Sequence, residues 1–280
     1  MNELTNKIIE INFDDISDYN FPKNERFGLI IWINNVKYEF LITINSLSEK
    51  VLVLGSGALS QTNNSHDRSR PLFNRQSWNF EETTIFFNDP TLYINDELLA
   101  PWGVGTEDDW YLENIAKIIK EITINLEISN NNILFYGSSA GGFTSLLLSI
   151  LIKDSYALAE IPQLNLKKHW PGHYLLLIKH CFNNLSESQV VEKFSHRLDV
   201  IELMKKEKYV PNAFLLMDFS VKPDVDMHYI PFFEELDNIC ENIKNKIHII
   251  IKWGYAGHHA QSYDESIQSI KWVEKHMDTN

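Results

Sequence analysis

From residue 50 onward, short and nearly continuous apolar runs alternate with longer segments of helical periodicity, and nothing else in the chain constrains the fold as strongly. The runs are Val51 to Leu54, Thr83 to Phe87, Asn132 to Tyr136, Tyr156 to Glu160, Ala213 to Met217 and Ile247 to Trp253. A strand that is apolar on both faces has to be covered on both faces, so the pattern predicts an α/β class: a mostly parallel, doubly wound sheet between layers of helix. The intervening segments predict helices over Asp109 to Leu126, Ser139 to Ile152, His173 to Phe182, Leu198 to Lys206, Ile230 to Asn242 and Ser262 to Met277.

Residues 1–47 read differently. Lys7 to Phe13, Phe27 to Ile33 and Val36 to Ile44 are β-rich, Asn34-Asn35 suits a hairpin turn, and no helical pattern intervenes. The expected organisation is a small β-rich segment over 1–47 followed by an α/β domain over 48–280. With 44% hydrophobic and 22% charged residues, the 280-residue chain has the balance of a folded protein.

A net charge of −13 opposes an extended polyanion, so nucleic acid is not an expected partner. The two cysteines, Cys181 and Cys240, match no metal-ligand spacing and read as buried thiols. The first fifteen residues carry acidic side chains and no uninterrupted apolar stretch, and the run from Phe143 to Ile152 is too short to cross a bilayer. The expectation is a cytoplasmic protein without a membrane span.

The segment Gly137-Ser138-Ser139-Ala140-Gly141 is a G-x-S-x-G motif, with an apolar strand running into it and an apolar helix leaving it. That context is what a nucleophile elbow requires: the serine sits on a sharp turn, with glycines where a Cβ would strike the adjoining elements. Ser139 is therefore the candidate nucleophile. The backbone N–H of Ala140, at a helix N-terminus, is a candidate oxyanion donor, and Gly57, in the small-residue turn Gly55-Ser56-Gly57-Ala58, is the candidate for the second. Neither turn is followed by the Lys-Ser/Thr of a phosphate-binding loop.

A serine hydroxyl needs a base, which in such folds follows the acid late in the chain. His258 and His259, after the last apolar run, both qualify; His258 is preferred because it follows the loop glycine Gly257. The acid is expected in the loop Asp218 to His228, with Asp226 first, Asp224 second and Asp218 third, on the argument that a late position lets the loop curl toward the histidine. His169 and His173 are separated by Trp170-Pro171-Gly172, which argues against a two-histidine metal face. Neither a metal nor an organic cofactor is expected.

Several strings resemble the α/β-hydrolase-like proteins of bacterial surface-glycan pathways, namely the serine-hydrolase component of accessory Sec systems and related capsular-polysaccharide biosynthesis proteins. They are Val51 to Ala58, Pro71 to Trp78, Asn88 to Leu92, the elbow with its double glycine, and Ile161-Pro162-Gln163. The resemblance implies a Ser-His-Asp triad acting on O-acyl, chiefly O-acetyl, groups of sugars, as esterase or acetyltransferase, beside glycosyltransferase or export components. It departs in the doubled histidine and in the acid loop, where Asp224 and Asp226 both stand. Arg75, Trp78, Asp89, Trp102 and Trp110 are candidates to line a sugar site, or else to pack beneath long loops. The alternative function is a catalytically idle hydrolase fold that binds or assembles a glycan biosynthesis complex.

Overall fold

Nine strands form one sheet in the computed structural model, which describes residues 1–278 except positions 2, 60–69, 101, 237–238, 240–245 and 255–256. The strands are β1 (Ile8–Asn12), β2 (Arg26–Ile33), β3 (Val36–Thr43), β4 (Val51–Leu54), β5 (Thr83–Phe87), β6 (Ile133–Ser138), β7 (Tyr156–Glu160), β8 (Asn212–Asp218) and β9 (Ile247–Lys252), in the order β1-β2-β3-β5-β4-β6-β7-β8-β9. β4 to β9 run parallel, β3 pairs antiparallel with β5, and β1 lies parallel to β2 at the edge. The β-rich N-terminal segment therefore continues the same sheet. Its β2-β3 turn puts Asn34 and Asn35 at φ 51° and 62°, the left-handed pair that a two-residue hairpin needs and that asparagine tolerates.

The helices are α1 (Tyr111–Asn125), α2 (Ala140–Leu151), α3 (Pro171–Cys181), α4 (Glu187–Leu198), α5 (Val200–Glu207), α6 (Lys222–Asp224), α7 (Ile230–Leu236) and α8 (Tyr263–Met277). Alternate residues of the parallel strands feed two cores. Val53, Phe135 and Leu215 join α1, α2, α3 and α5 in the larger one, whereas Leu54, Tyr136 and Phe214 face Ile270 and Val273 of α8 together with Phe73. Among the described residues no helix is long and apolar enough to cross a membrane.

Two segments differ from the sequence expectation. α4 was not expected, because Val190, Phe194 and Leu198 are sparse apolar positions on a polar helix; a capping box between Ser186 and Gln189 starts it. Residues 222–236, expected to begin as a loop, are helical throughout: α6 passes through a π turn over Val225–Tyr229 into α7. α3 begins at Pro171, which costs no hydrogen bond at a first helical position. Cys181 is a buried free thiol, and Cys240 lies outside the described residues.

Candidate active site

β6 delivers Ser139 to the end of the sheet where the parallel strands finish, and α2 starts at the next residue. Ser139 has φ 55° and ψ −118°, a conformation L-residues rarely adopt. Its surroundings impose it: the Ser139 N–H donates to the Glu160 carbonyl at 2.9 Å, and the Ser139 carbonyl accepts from the Phe143 N–H at 3.1 Å. The flanking glycines are steric necessities. A Cβ on Gly137 would stand 2.4 Å from the Gly141 carbonyl carbon, and one on Gly141 would stand 2.8 Å from the Gly55 oxygen. Ala140 is buried in the first turn of α2, and Gly57 is buried with its Cβ direction facing the Ser138 carbonyl.

The loops after β8 and β9 bring a carboxylate to a histidine. His258 Nδ1 lies 2.6 Å from Asp224 Oδ2, and Asp224 is buried while the His258 side chain keeps about a third of its surface exposed. The expected acid, Asp226, does not reach the histidine. It pairs with Lys222 at 2.8 Å on the surface. The reason is the helical course of 222–236: residues two apart on a helix face different ways, so with Asp224 turned inward Asp226 is turned out. Asp218 closes its own turn, accepting from the Ser220 N–H at 2.8 Å. His259 is exposed and donates its backbone N–H to the Gly257 carbonyl.

The Ser139 hydroxyl is engaged by a residue whose part the sequence did not reveal. Gln163 Nε2 donates to Ser139 Oγ at 2.8 Å, and Gln163 Oε1 accepts from Trp102 Nε1 at 2.8 Å. Among the described residues no hydrogen bond joins Ser139 to His258. Trp102 also meets the rings of His169 and His173, at 5.7 and 6.5 Å between centroids. His228 Nδ1 accepts from the Leu164 N–H, which leaves its Nε2 to donate to His169 Nδ1, 3.3 Å away. Burial, reinforced by His228, His173 and His258, pulls the His169 pKa down to about 3; burial also takes His228 to about 4, against the opposing pull of Asp224. These imidazoles are neutral hydrogen-bonding groups at pH 7. Among the described residues no group of three or more His, Cys, Asp or Glu side chains is arranged to hold a metal.

A buried polar knot braces the same end of the sheet. Glu160, at the end of β7, accepts the Gln261 N–H, lies 3.2 Å from the Tyr136 hydroxyl and 3.7 Å from Arg75 Nη2. Burial raises its pKa, with the Gln261 N–H and Arg75 opposing. Arg75 donates to Ser138 Oγ at 2.9 Å and stacks over Trp78 and Tyr136. Of the five residues offered either as sugar-site lining or as packing beneath loops, Arg75, Trp78 and Trp102 lie in this region, with Arg75 and Trp102 buried. Asp89 instead accepts from the Thr91 and Gly103 N–H groups, and Trp110 packs on His196 and Arg197. A cavity of about 590 Å³, lined by Tyr19, Lys23, Asn45, Thr83 and Asn132, opens at the opposite end of the sheet, where the parallel strands begin.

The antiparallel entry, the crossover that puts β5 before β4, and the turn after β6 define an α/β-hydrolase fold. No family model and no curated protein matches the sequence. Solved structures do match the fold. The capsule O-acetyltransferase of Neisseria meningitidis serogroup A, solved as a mutant in complex with CoA, is 16% identical with a TM-score of 0.59, over 86% of this chain and 93% of that one. The glycosylation-associated Gap123 complex of Streptococcus agalactiae is 16% identical with a TM-score of 0.56; the match takes in 88% of this chain and only 44% of that one. An S-formylglutathione hydrolase from Agrobacterium tumefaciens is 10% identical with a TM-score of 0.55, over 92% and 97% of the two chains.

Proposed function

We propose that this chain is a serine acyl-transfer enzyme that acts on ester groups, chiefly O-acetyl groups of a carbohydrate, with Ser139 as nucleophile, His258 as base and Asp224 as the acid that orients it. The observation that carries the reading is that a serine held at positive φ before a buried helix and a histidine-carboxylate pair 2.6 Å apart both follow parallel strands at the same end of the sheet. In the first step His258 takes the Ser139 proton as Oγ bonds to the acyl carbon and the carbonyl electron pair moves onto oxygen. In this reading the N–H groups of Ala140 and Gly57 donate to that oxygen. Collapse expels the alcohol, which takes the proton back from His258, and leaves an acyl-serine. Water or a sugar hydroxyl then accepts the acyl group by the reverse sequence.

Carbohydrate as the substrate class is supported by the names of two fold neighbours, a capsule O-acetyltransferase and a glycosylation-associated complex. The second of these also supports glycosyltransferase-type partners. The exposed rim of Trp170 is a flat apolar surface suited to a sugar ring. A cytoplasmic site of action belongs to the same reading.

The rival, an idle hydrolase fold used for assembly, gains from the hydrogen bond that occupies Ser139 with Gln163 in place of His258. A fluorophosphonate probe decides between them. Labelling of the wild type that disappears in Ser139→Ala, together with hydrolysis of 4-nitrophenyl acetate, is the expected result; no labelling, or equal labelling of Ser139→Ala, overturns the enzyme. Transfer from acetyl-CoA to a sugar acceptor, measured beside hydrolysis, separates acetyltransferase from esterase.

A further inference from the structure

The Ser139 hydroxyl is met by a side-chain amide that comes from neither of the places where the expected oxyanion donors lie. Gln163 follows β7, whereas Ala140 follows β6 and Gly57 follows β4. The Gln163 amide is also not free to turn. Its oxygen is taken by the indole N–H of Trp102, so its Nε2 has to face Ser139. Both side chains are buried, Gln163 at 3% exposure and Trp102 at 2%, so the bond between them is shielded from water.

Trp102 is fixed in turn. Asp89, fully buried, accepts the N–H of Gly103, and the Leu112 N–H donates to the Gly103 carbonyl. Gly103 has φ 69°, and a Cβ there would stand 2.7 Å from the Leu112 Cβ, so the backbone carrying the indole has one available course. A chain of hydrogen bonds thus runs from the loop before α1, through Trp102 and Gln163, to the atom that reacts. Polar groups buried at such cost in freedom mark a place where orientation matters.

We infer that Gln163 is a catalytic residue: a side-chain donor for the acyl transition state, with Trp102 as the positioning residue that aims it. The inference rests on Ser139 being the nucleophile. Before attack, Gln163 Nε2 donates to Oγ. As Oγ bonds to the acyl carbon it becomes an ester oxygen, a weak acceptor, while full negative charge appears on the neighbouring carbonyl oxygen. A donor 2.8 Å from Oγ is within hydrogen-bonding reach of that oxygen after a small shift, and the stronger acceptor draws it there. The amide carries no charge and moves no proton, so the proton account of the mechanism is unchanged.

The test measures kcat and KM for 4-nitrophenyl acetate in wild type, Gln163→Ala, Trp102→Phe and the double variant, with fluorophosphonate labelling of the wild type as control. Loss of one such donor lowers kcat by roughly 100-fold, and the expectation is that fall for Gln163→Ala with KM within about threefold. Trp102→Phe removes only the aiming bond and lowers kcat less, and the double variant is no slower than Gln163→Ala alone, because Trp102 acts through Gln163. A kcat for Gln163→Ala within about threefold of wild type, or losses that multiply in the double variant, overturns the inference. Should Gln163→Ala fail to fold, Gln163→Glu carries the test at pH 8: it keeps the volume and the acceptor for Trp102 but has no hydrogen to give. A wild type that neither labels nor turns over ends the reading of Ser139 and this inference with it; a wild type that labels while the Gln163 variants stay fast ends this inference alone.

Discussion

Asp224 and His258 are thirty-four residues apart in sequence and 2.6 Å apart in space, joined because β8 and β9 are adjacent parallel strands whose following segments leave from the same end of the sheet. Asp226, two residues further on, is bound to Lys222 with about half of its side chain in solvent. Replacement of an orienting acid with its amide costs roughly 10⁴ in kcat, and that loss is expected for Asp224→Asn. Asp226→Asn removes only an exposed ion pair and stays within about threefold of wild type. Steady-state rates on one activated ester settle the assignment; equal losses would refute it.

Strain at the turn after β6 has a thermodynamic signature. A non-glycine residue in such a conformation costs about 1 to 3 kcal/mol. Ser139→Gly relieves that cost and Ser139→Ala does not. Both are expected to be inactive, but the glycine variant is expected to be the more stable by about 1 kcal/mol in urea unfolding, against glycine's usual penalty beside a helix. The reverse order would mean that the turn holds no strain at this position.

Glu160 is expected to matter for stability well beyond its size. Glu160→Ala leaves the buried Arg75 guanidinium without its carboxylate and the Gln261 N–H without its acceptor. Breaking a buried pair from one side costs about 3 to 5 kcal/mol. Glu160→Gln retains an acceptor and is expected to lose clearly less. Thermal and urea unfolding of the two variants are the measurement, and equal small losses would show that Arg75 does not depend on the pair.

The buried histidines make stability depend on acid. The unfolded chain protonates His228 as pH falls below its ordinary value near 6.5, while burial holds the folded group neutral to about 4. Between those values the unfolded state binds the extra proton, so stability drops on acidification. Asp199, which burial raises to about 6, works in the other direction. Comparing His228→Gln with wild type isolates the histidine: the difference in unfolding free energy is expected to shift in the variant's favour as pH falls from 6.5 to 4, by at most about 1.4 kcal/mol per pH unit. A difference that does not change with pH would place His228 in an unperturbed environment.

The strands of the sheet were legible in the sequence because burial on both faces writes itself as uninterrupted apolar runs; Val51–Leu54, Thr83–Phe87 and Tyr156–Glu160 appear with the bounds their runs suggest. The position of Ser139 between β6 and α2 was legible for the same reason, with glycines fixed by close packing on each side. α4 was not, since a helix that buries one narrow stripe looks like a loop until its capping box is noticed. Asp226 was placed at the histidine on the premise of a loop, and a helical 222–236 reversed which aspartate faces inward. Pro223 just after Lys222 was the available signal, because proline opens helices. Gln163 was visible only as part of the string Ile161-Pro162-Gln163, and its contacts with Ser139 and Trp102 are long-range pairings that no local pattern encodes.

The two ends of the parallel sheet can be told apart by small molecules. The cavity of about 590 Å³ and Ser139 share no lining residue and lie a full strand length apart. Compounds chosen for how well they fill that hollow would leave the serine open to a covalent probe, and compounds that compete with the probe would have to be sought among those that bind at Ser139 itself. Competition with fluorophosphonate labelling therefore sorts a ligand collection by end of the molecule before any complex has been solved.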